Sequence, residues 1–240
     1  MNRKVVTFCV YGKIPKYSSG IINAVKSAIK FYIDWEIWVY TCNEGELSVP
    51  EETIQELNKL ECKVIKYKNF SQGATCEGMF RRFTPFDDES VDYWLCRDAD
   101  SRCSLREKTM VDEWICSQKT VHTILDNGCH KDIMGCSFGI CNINLRKKYP
   151  EKIININDYL YDFVIVKKHV ITKYGDDQVW IRNNLKSIFT EKNDLYAHIP
   201  EHLENTMTVY GQNTKSEKFD YTITQKTNDF VGKPVNWQQC

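Results

Sequence analysis

The residues best suited to chemistry lie in the stretch VDYWLCRDADSR, Val91 to Arg102. An apolar run ends there in Asp98 and Asp100, one residue apart, with Arg97 and Arg102 on either side. Two carboxylates delivered to the end of a strand can hold a hard divalent cation, and such a cation can neutralise a diphosphate. Arg81 and Arg82 precede the run. A guanidinium near a diphosphate makes bidentate contacts that a lysine does not reproduce. The plainer reading is a solvated strand end for the aspartates and ordinary salt bridges for the arginines. Asp-X-Asp alone is weak evidence, because chance supplies it about once in a chain of this length.

Positioning these groups requires a scaffold, and the pattern of apolar residues supplies one. Val5 to Tyr11 reads as a first strand closed by Gly12, and Ile21, Val25, Ala28, Ile29 and Tyr32 recur at helical spacing. Trp35 to Thr41 reads as a second strand, Ser48 to Leu60 as a helix with a Ser48 and Glu51 capping box, and Cys62 to Tyr67 as a third strand. Gly73 to Phe83 reads as helical, and Val91 onward as the strand that ends in the aspartates. Ser104 and Glu107 form a second capping box before a helix with Leu105, Met110, Val111, Trp114 and Ile115 on its apolar face. Val121 to Leu125 and Ile133 to Asn142 read as further strands. The stretch after Pro150 suits several arrangements, and Gly175 with Asp176 opens a last helix through Trp180, Ile181, Leu185 and Ile188. Strands alternating with helices predict βαβ units, hence an α/β fold with a mostly parallel central sheet flanked by helices. Ligands in such sheets bind beyond the carboxyl ends of the strands.

Lys plus Arg equals Asp plus Glu at 32 each, so global charge recruits neither nucleic acid nor an anionic membrane. The 11 cysteines are odd in number and contain no CxxC pair, which removes the usual zinc spacing and a complete disulfide framework. No apolar run approaches the roughly 20 residues of a membrane span. The amino-terminal run is short and reads as part of the first strand, so a signal peptide is not expected there. A single domain over residues 1–240, in a reducing, cytoplasmic setting, is the expectation.

The run RDADSRCSLREKTMVDEWICSQKTVHTILDNGCH resembles a group of small glycosyltransferases of the nucleotide-diphospho-sugar transferase type, with the GT-A fold, found in bacteria and large DNA viruses. It is similar to the rhamnosyltransferase domain of a chlorella-virus glycosyltransferase. The resemblance rests on linked parts in order: Arg97 to Arg102, Arg106 with Glu107, Trp114, His122, Asp126 with His130, Gly135 to Gly139, and Tyr174 to Gln178. The opening KVVTFCVYG and the closing FVG extend it across nearly the whole chain. Leu125, Asn127 and Cys136 to Phe138 depart from the family pattern at positions that should face sugar or acceptor.

The resemblance implies a metal-dependent transfer of a sugar from a nucleoside-diphosphate sugar, a UDP-sugar first among them, to a glycan or glycoprotein acceptor, in viral glycan synthesis where the relatives are viral. Asp100, and Asp98 directly or through water, would hold Mn2+ or Mg2+, with His198 as third ligand and His202 as its rival. Tyr11 and Gly12 would lie near base and ribose, and Arg82, Arg97, Asp98 and His122 beside the donor. Asp177 would take the acceptor proton in an inverting reaction, or orient the sugar in a retaining one, and Asp126 and His130 would bind sugar hydroxyls. Two other readings stay open at this point: a sugar nucleotidyltransferase, for which YGKIPKYSSG is a poor phosphate loop, and a non-catalytic nucleotide- or carbohydrate-binding module.

Overall fold

Strand β1 (Lys4–Val10) is covered on both faces, as its β-branched and aromatic residues require. Val6, Phe8 and Val10 pack on one face with Ile37 and Val39 of β2 (Glu36–Cys42), while Val5 joins Trp38, Tyr40 and Cys42 on the other. These details come from a computed structural model, which describes residues 2–71, 75–127, 133–171, 175–190, 194–199, 231 and 233. β3 (Lys63–Tyr67), β4 (Tyr93–Cys96), β5 (Val121–Ile124), β6 (Phe138–Cys141) and β7 (Leu195–His198) complete a seven-stranded sheet in the order β3-β2-β1-β4-β6-β5-β7. β1 pairs in parallel with β2 and β4, β2 with β3, and β5 with β7. β6 alone runs antiparallel to both its neighbours. The chain lays β2 and β3 on one side of β1 and returns to place β4 on the other. The carboxyl ends of β1 and β4 therefore lie side by side at a switch in strand order, the position where ligands bind in sheets of this kind.

The helices are α1 (Pro15–Ser18), α2 (Gly20–Phe31), α3 (Glu51–Asn58), α4 (Gly78–Arg81), α5 (Leu105–Ser117), α6 (Asn142–Lys148), α7 (Ile156–Tyr161) and α8 (Asp176–Thr190). α2 buries Ile21, Ala24, Val25 and Ala28 at the expected spacing, and α8 buries Trp180, Ile181, Leu185 and Ile188. α7 runs into a single wide π-turn over Asp162–Val166. Among the described residues no helix is long and apolar enough to cross a membrane.

Several boundaries differ from the pattern reading. α3 begins at Glu51 rather than Ser48, with no side-chain cap, because a residue before proline is steered out of helical geometry and Val49 precedes Pro50. Of the segment expected to be helical, Gly73 to Phe83, only α4 is helical among the described residues, a 3-10 turn at Thr84–Phe86 follows it, and 72–74 lie outside the described residues. β4 stops at Cys96, so both aspartates sit in the turn beyond it. The Ser104 cap forms, its hydroxyl accepting from Glu107 N at 3.2 Å, whereas the Glu107 carboxylate turns inward to Arg97.

Gly139 lets β6 lie tightly on β4. A Cβ there would fall 2.6 Å from Leu95 Cδ2 and 2.9 Å from Trp94 O, and one of these contacts is to backbone that cannot rotate away. Gly139→Ala is therefore expected to destabilise by about 1–3 kcal/mol, the usual cost of overpacking, read as a lower urea midpoint with unchanged slope. An unchanged midpoint would show that the two strands part freely.

Candidate active site at the carboxyl ends of β1 and β4

Three segments far apart in sequence meet where β4 ends. α4 delivers Arg82 at its carboxyl end, and Thr7 of β1 secures that turn by donating its hydroxyl to Arg82 O at 2.8 Å. The Arg82 guanidinium, almost fully buried, forks between two carboxylates. Its Nη1 donates to Asp98 Oδ1, and its Nη2 donates to Asp177 Oδ2 at 2.7 Å. Burial works against the charge on Arg82, but the acceptors around it, Asp98 and Asp177 among them, hold its pKa above the ordinary value. Asp177 is buried in the first turn of α8, where Gln178 N donates to its Oδ1 at 3.0 Å. Gly135 makes the meeting possible, since a Cβ there would fall 2.5 Å from Asp177 Oδ2 and 2.6 Å from Arg82 Nη2.

Asp100 has a different partner. Its carboxylate, 7% exposed, accepts from Lys16 Nζ of α1 at 2.7 Å, and that hydrogen bond raises the Lys16 pKa. The start of α2 is pressed against the same turn, a Cβ on Gly20 falling 3.0 Å from Ala99 O. Carboxylate oxygens on a turn, those of Asp100 balanced by a half-exposed ammonium and those of Asp98 by a buried guanidinium, form a donor set that suits a hard divalent cation. Such an ion commonly takes only one or two protein carboxylates, with phosphate oxygens and water completing its shell. Among the described residues no group of three or more His, Cys, Asp or Glu side chains is placed to hold a metal by itself.

Tyr11 and Gly12 follow β1 at this same edge. Tyr11 is half-buried against Gly78, where a Cβ would fall 2.4 Å from its ring, and Gly12 takes a φ of 74° while its N–H donates to Leu47 O at 2.7 Å. Tyr67 OH lies against the same glycine, so the end of β1 and the start of α4 share one aromatic wall.

Four expected site residues are placed elsewhere. Arg97, expected at the diphosphate, is 1% exposed and donates through Nε to Glu107 Oε1 at 2.6 Å and through Nη1 to Cys96 O at 2.7 Å. Side chains alternate along an extended segment, so Asp98 turns to Arg82 and Arg97 to α5. Tyr32 OH also donates to Glu107 Oε1, at 2.7 Å, which makes this pair a buried tie between β4, α5 and α2. His122, expected beside the donor, is fully buried and stacked on Trp114 at 5.1 Å, and burial first, then His198 and Arg97, push its pKa well down. His198, expected on the metal, lies edge-on to His122, with Nε2 3.0 Å from Met110 O. Burial lowers its pKa to about 4, partly opposed by the Met110 carbonyl. β7 thus carries His198 to α5 and not to the aspartates.

Asp126, expected to bind hydroxyls, is 1% exposed, accepts from Arg106 Nη2 at 2.6 Å, and takes the Val231 N–H at 3.1–3.2 Å. Burial raises its pKa against the pull of Arg106. It fastens a carboxyl-terminal residue to α5 and the end of β5. His130, His202 and Tyr174 lie outside the described residues. Arg81, the other arginine of its pair, is engaged by Glu77 Oε1 at 2.9 Å and Lys68 O at 3.0 Å.

No family model and no curated protein sequence matches the chain. Solved structures resemble it in course. Residues 1–349 of TarS from S. aureus are 14% identical, with a TM-score of 0.41 over 60% of this chain and 48% of theirs, so the chain spans about half the length of that structure. A protein described as a nucleotide-diphospho-sugar transferase from Desulfovibrio desulfuricans is 10% identical, with a TM-score of 0.39 over 72% of this chain and 80% of that one. 4-diphosphocytidyl-2C-methyl-D-erythritol synthase from Anaerococcus prevotii is also 10% identical, with a TM-score of 0.46 over 88% and 94%. Likeness this loose transfers no residue and no activity.

The pattern reading missed Lys16. Its only signal was a basic residue in the loop after β1, in a segment that lacks the glycines of a phosphate loop. It also gave no sign that Arg82 would join Asp98 to Asp177, since those residues are 16 and 95 positions away from it.

Proposed function

We propose that this chain is a metal-dependent glycosyltransferase of the GT-A type, moving a sugar from a nucleoside-diphosphate sugar, a UDP-sugar in first place, to a hydroxyl of a glycan or glycoprotein acceptor. The observation that carries the reading is Arg82 clasped between Asp98 and Asp177 beside Asp100, at the carboxyl edge of β1 and β4. In that arrangement Asp98 and Asp100 hold Mn2+ or Mg2+, which when bound supplies positive charge that stabilises the departing diphosphate. The chain's own groups do the rest. Tyr11 and Gly12 border the nucleotide at the end of β1. Arg82 Nη2 fixes Oδ2 of Asp177 and Gln178 N fixes Oδ1, whose second lone pair receives the acceptor proton in an inverting reaction.

A UDP-sugar is expected to raise the melting temperature only when Mn2+ or Mg2+ is present. At a hundredfold excess over Kd the stabilisation is about 2.7 kcal/mol, which corresponds to roughly 5–10 °C for a chain of this size. Chelator, or Asp100→Ala, is expected to abolish the rise. Equal stabilisation under either condition would remove the metal from the reading. Pyrophosphate release from a nucleoside triphosphate and a sugar phosphate, without sugar transfer, would replace it with nucleotidyl transfer.

A further inference from the structure

The two aspartates carry counter-charges of different kinds. Asp98 is balanced by Arg82, whose side chain is 8% exposed and whose other arm is tied to Asp177. That guanidinium cannot leave without abandoning a second buried carboxylate. Asp100 is balanced by Lys16, whose side chain is 44% exposed on a single short turn of helix. A lysine ammonium is a point charge on a flexible stem, needs no fixed fork geometry, and can move off without leaving a buried cavity. The carboxylate is 7% exposed with the ammonium in place, so a divalent cation that takes the ammonium's position meets a charge already largely out of water. Lys16 is also tethered, because α2, which follows α1, has its first residue pressed on the Ala99 carbonyl. Any anion bound at that turn stays within its reach.

We infer that Lys16 is an exchangeable counter-ion of Asp100: a divalent cation displaces its ammonium from the carboxylate, and the displaced ammonium then binds the donor's diphosphate. This rests on the metal-dependent reading above and adds to it a diphosphate-binding residue from the loop after β1. Lys16 thereby opposes metal binding in the empty protein and favours nucleotide binding once the metal is in place.

The test is a Mn2+ titration of the full chain, followed by the paramagnetic signal of free Mn2+, first without nucleotide and then with UDP. Lys16→Met keeps most of the stem and removes the charge, and its exposure spares the fold. Without nucleotide it is expected to bind Mn2+ about tenfold more tightly than wild type, and in saturating Mn2+ to bind UDP about tenfold more weakly, each the equivalent of one competing or assisting charge. Equal or weaker Mn2+ binding by the variant overturns the inference while leaving the metal site intact. Failure of wild type to bind Mn2+ with or without UDP overturns the metal reading itself, and this inference with it.

Discussion

Asp177→Asn is expected to bind UDP and Mn2+ as wild type does and to lose sugar transfer by about 10²–10⁴-fold, the range over which a positioned general base contributes. The substitution keeps the shape of the side chain. An amide oxygen can still accept from Arg82 Nη2, at the loss of the Gln178 N–H bond, and Asp98 still balances the guanidinium, so the clasp over Gly135 survives. What disappears is a carboxylate able to receive a proton. Measured as single-turnover transfer at saturating donor, the loss should fall on the rate constant and leave donor affinity unchanged. A rate within a factor of about ten of wild type, less than a general base supplies, would remove Asp177 from proton transfer. Loss of UDP binding instead would make it part of the donor pocket.

Arg82→Met is expected to cost about 3–5 kcal/mol of stability, because it removes one cation from two buried or half-buried carboxylates and leaves both without their partner. Urea unfolding is the measure. Arg82→Lys separates charge from geometry: one ammonium can neutralise a carboxylate but cannot donate to Asp98 and Asp177 from opposite arms of a rigid fork. It should recover part of the stability and still lose transfer. Full stability in the methionine variant would show that the two carboxylates find solvent or protons without strain. If that variant fails to accumulate, the lysine variant and Gly135→Ala, which drives a methyl group into the same clasp, carry the comparison.

Arg97 illustrates where local reading stops. Its sequence neighbourhood, between an apolar strand and two aspartates, is what a diphosphate-binding arginine would have. Alternation along the extended chain turns it away from Asp98, and Glu107 in the first turn of α5 is there to meet it. The same capping pattern that correctly marked Ser104 implied that Glu107 would bond back to the backbone, but the stronger electrostatic partner won. His122 and His198 show the complementary limit. Both looked like site histidines, and both are enclosed by Trp114, Met110 and each other, where burial holds them neutral.

By itself the sequence determined the alternation of strands and helices, the placement of Asp98 and Asp100 just past a central strand, and the capped helix behind them. These follow from short-range periodicity and capping, which act over a few residues and leave a mark at fixed spacing. Only the tertiary structure decided which charges meet. Strand order brings Thr7, Arg82, Asp98, Gly135 and Asp177 to one edge, and assigns Lys16 to Asp100 and Arg106 to Asp126. Long side chains choose partners by through-space distance after the sheet is assembled, and no local spacing encodes that choice.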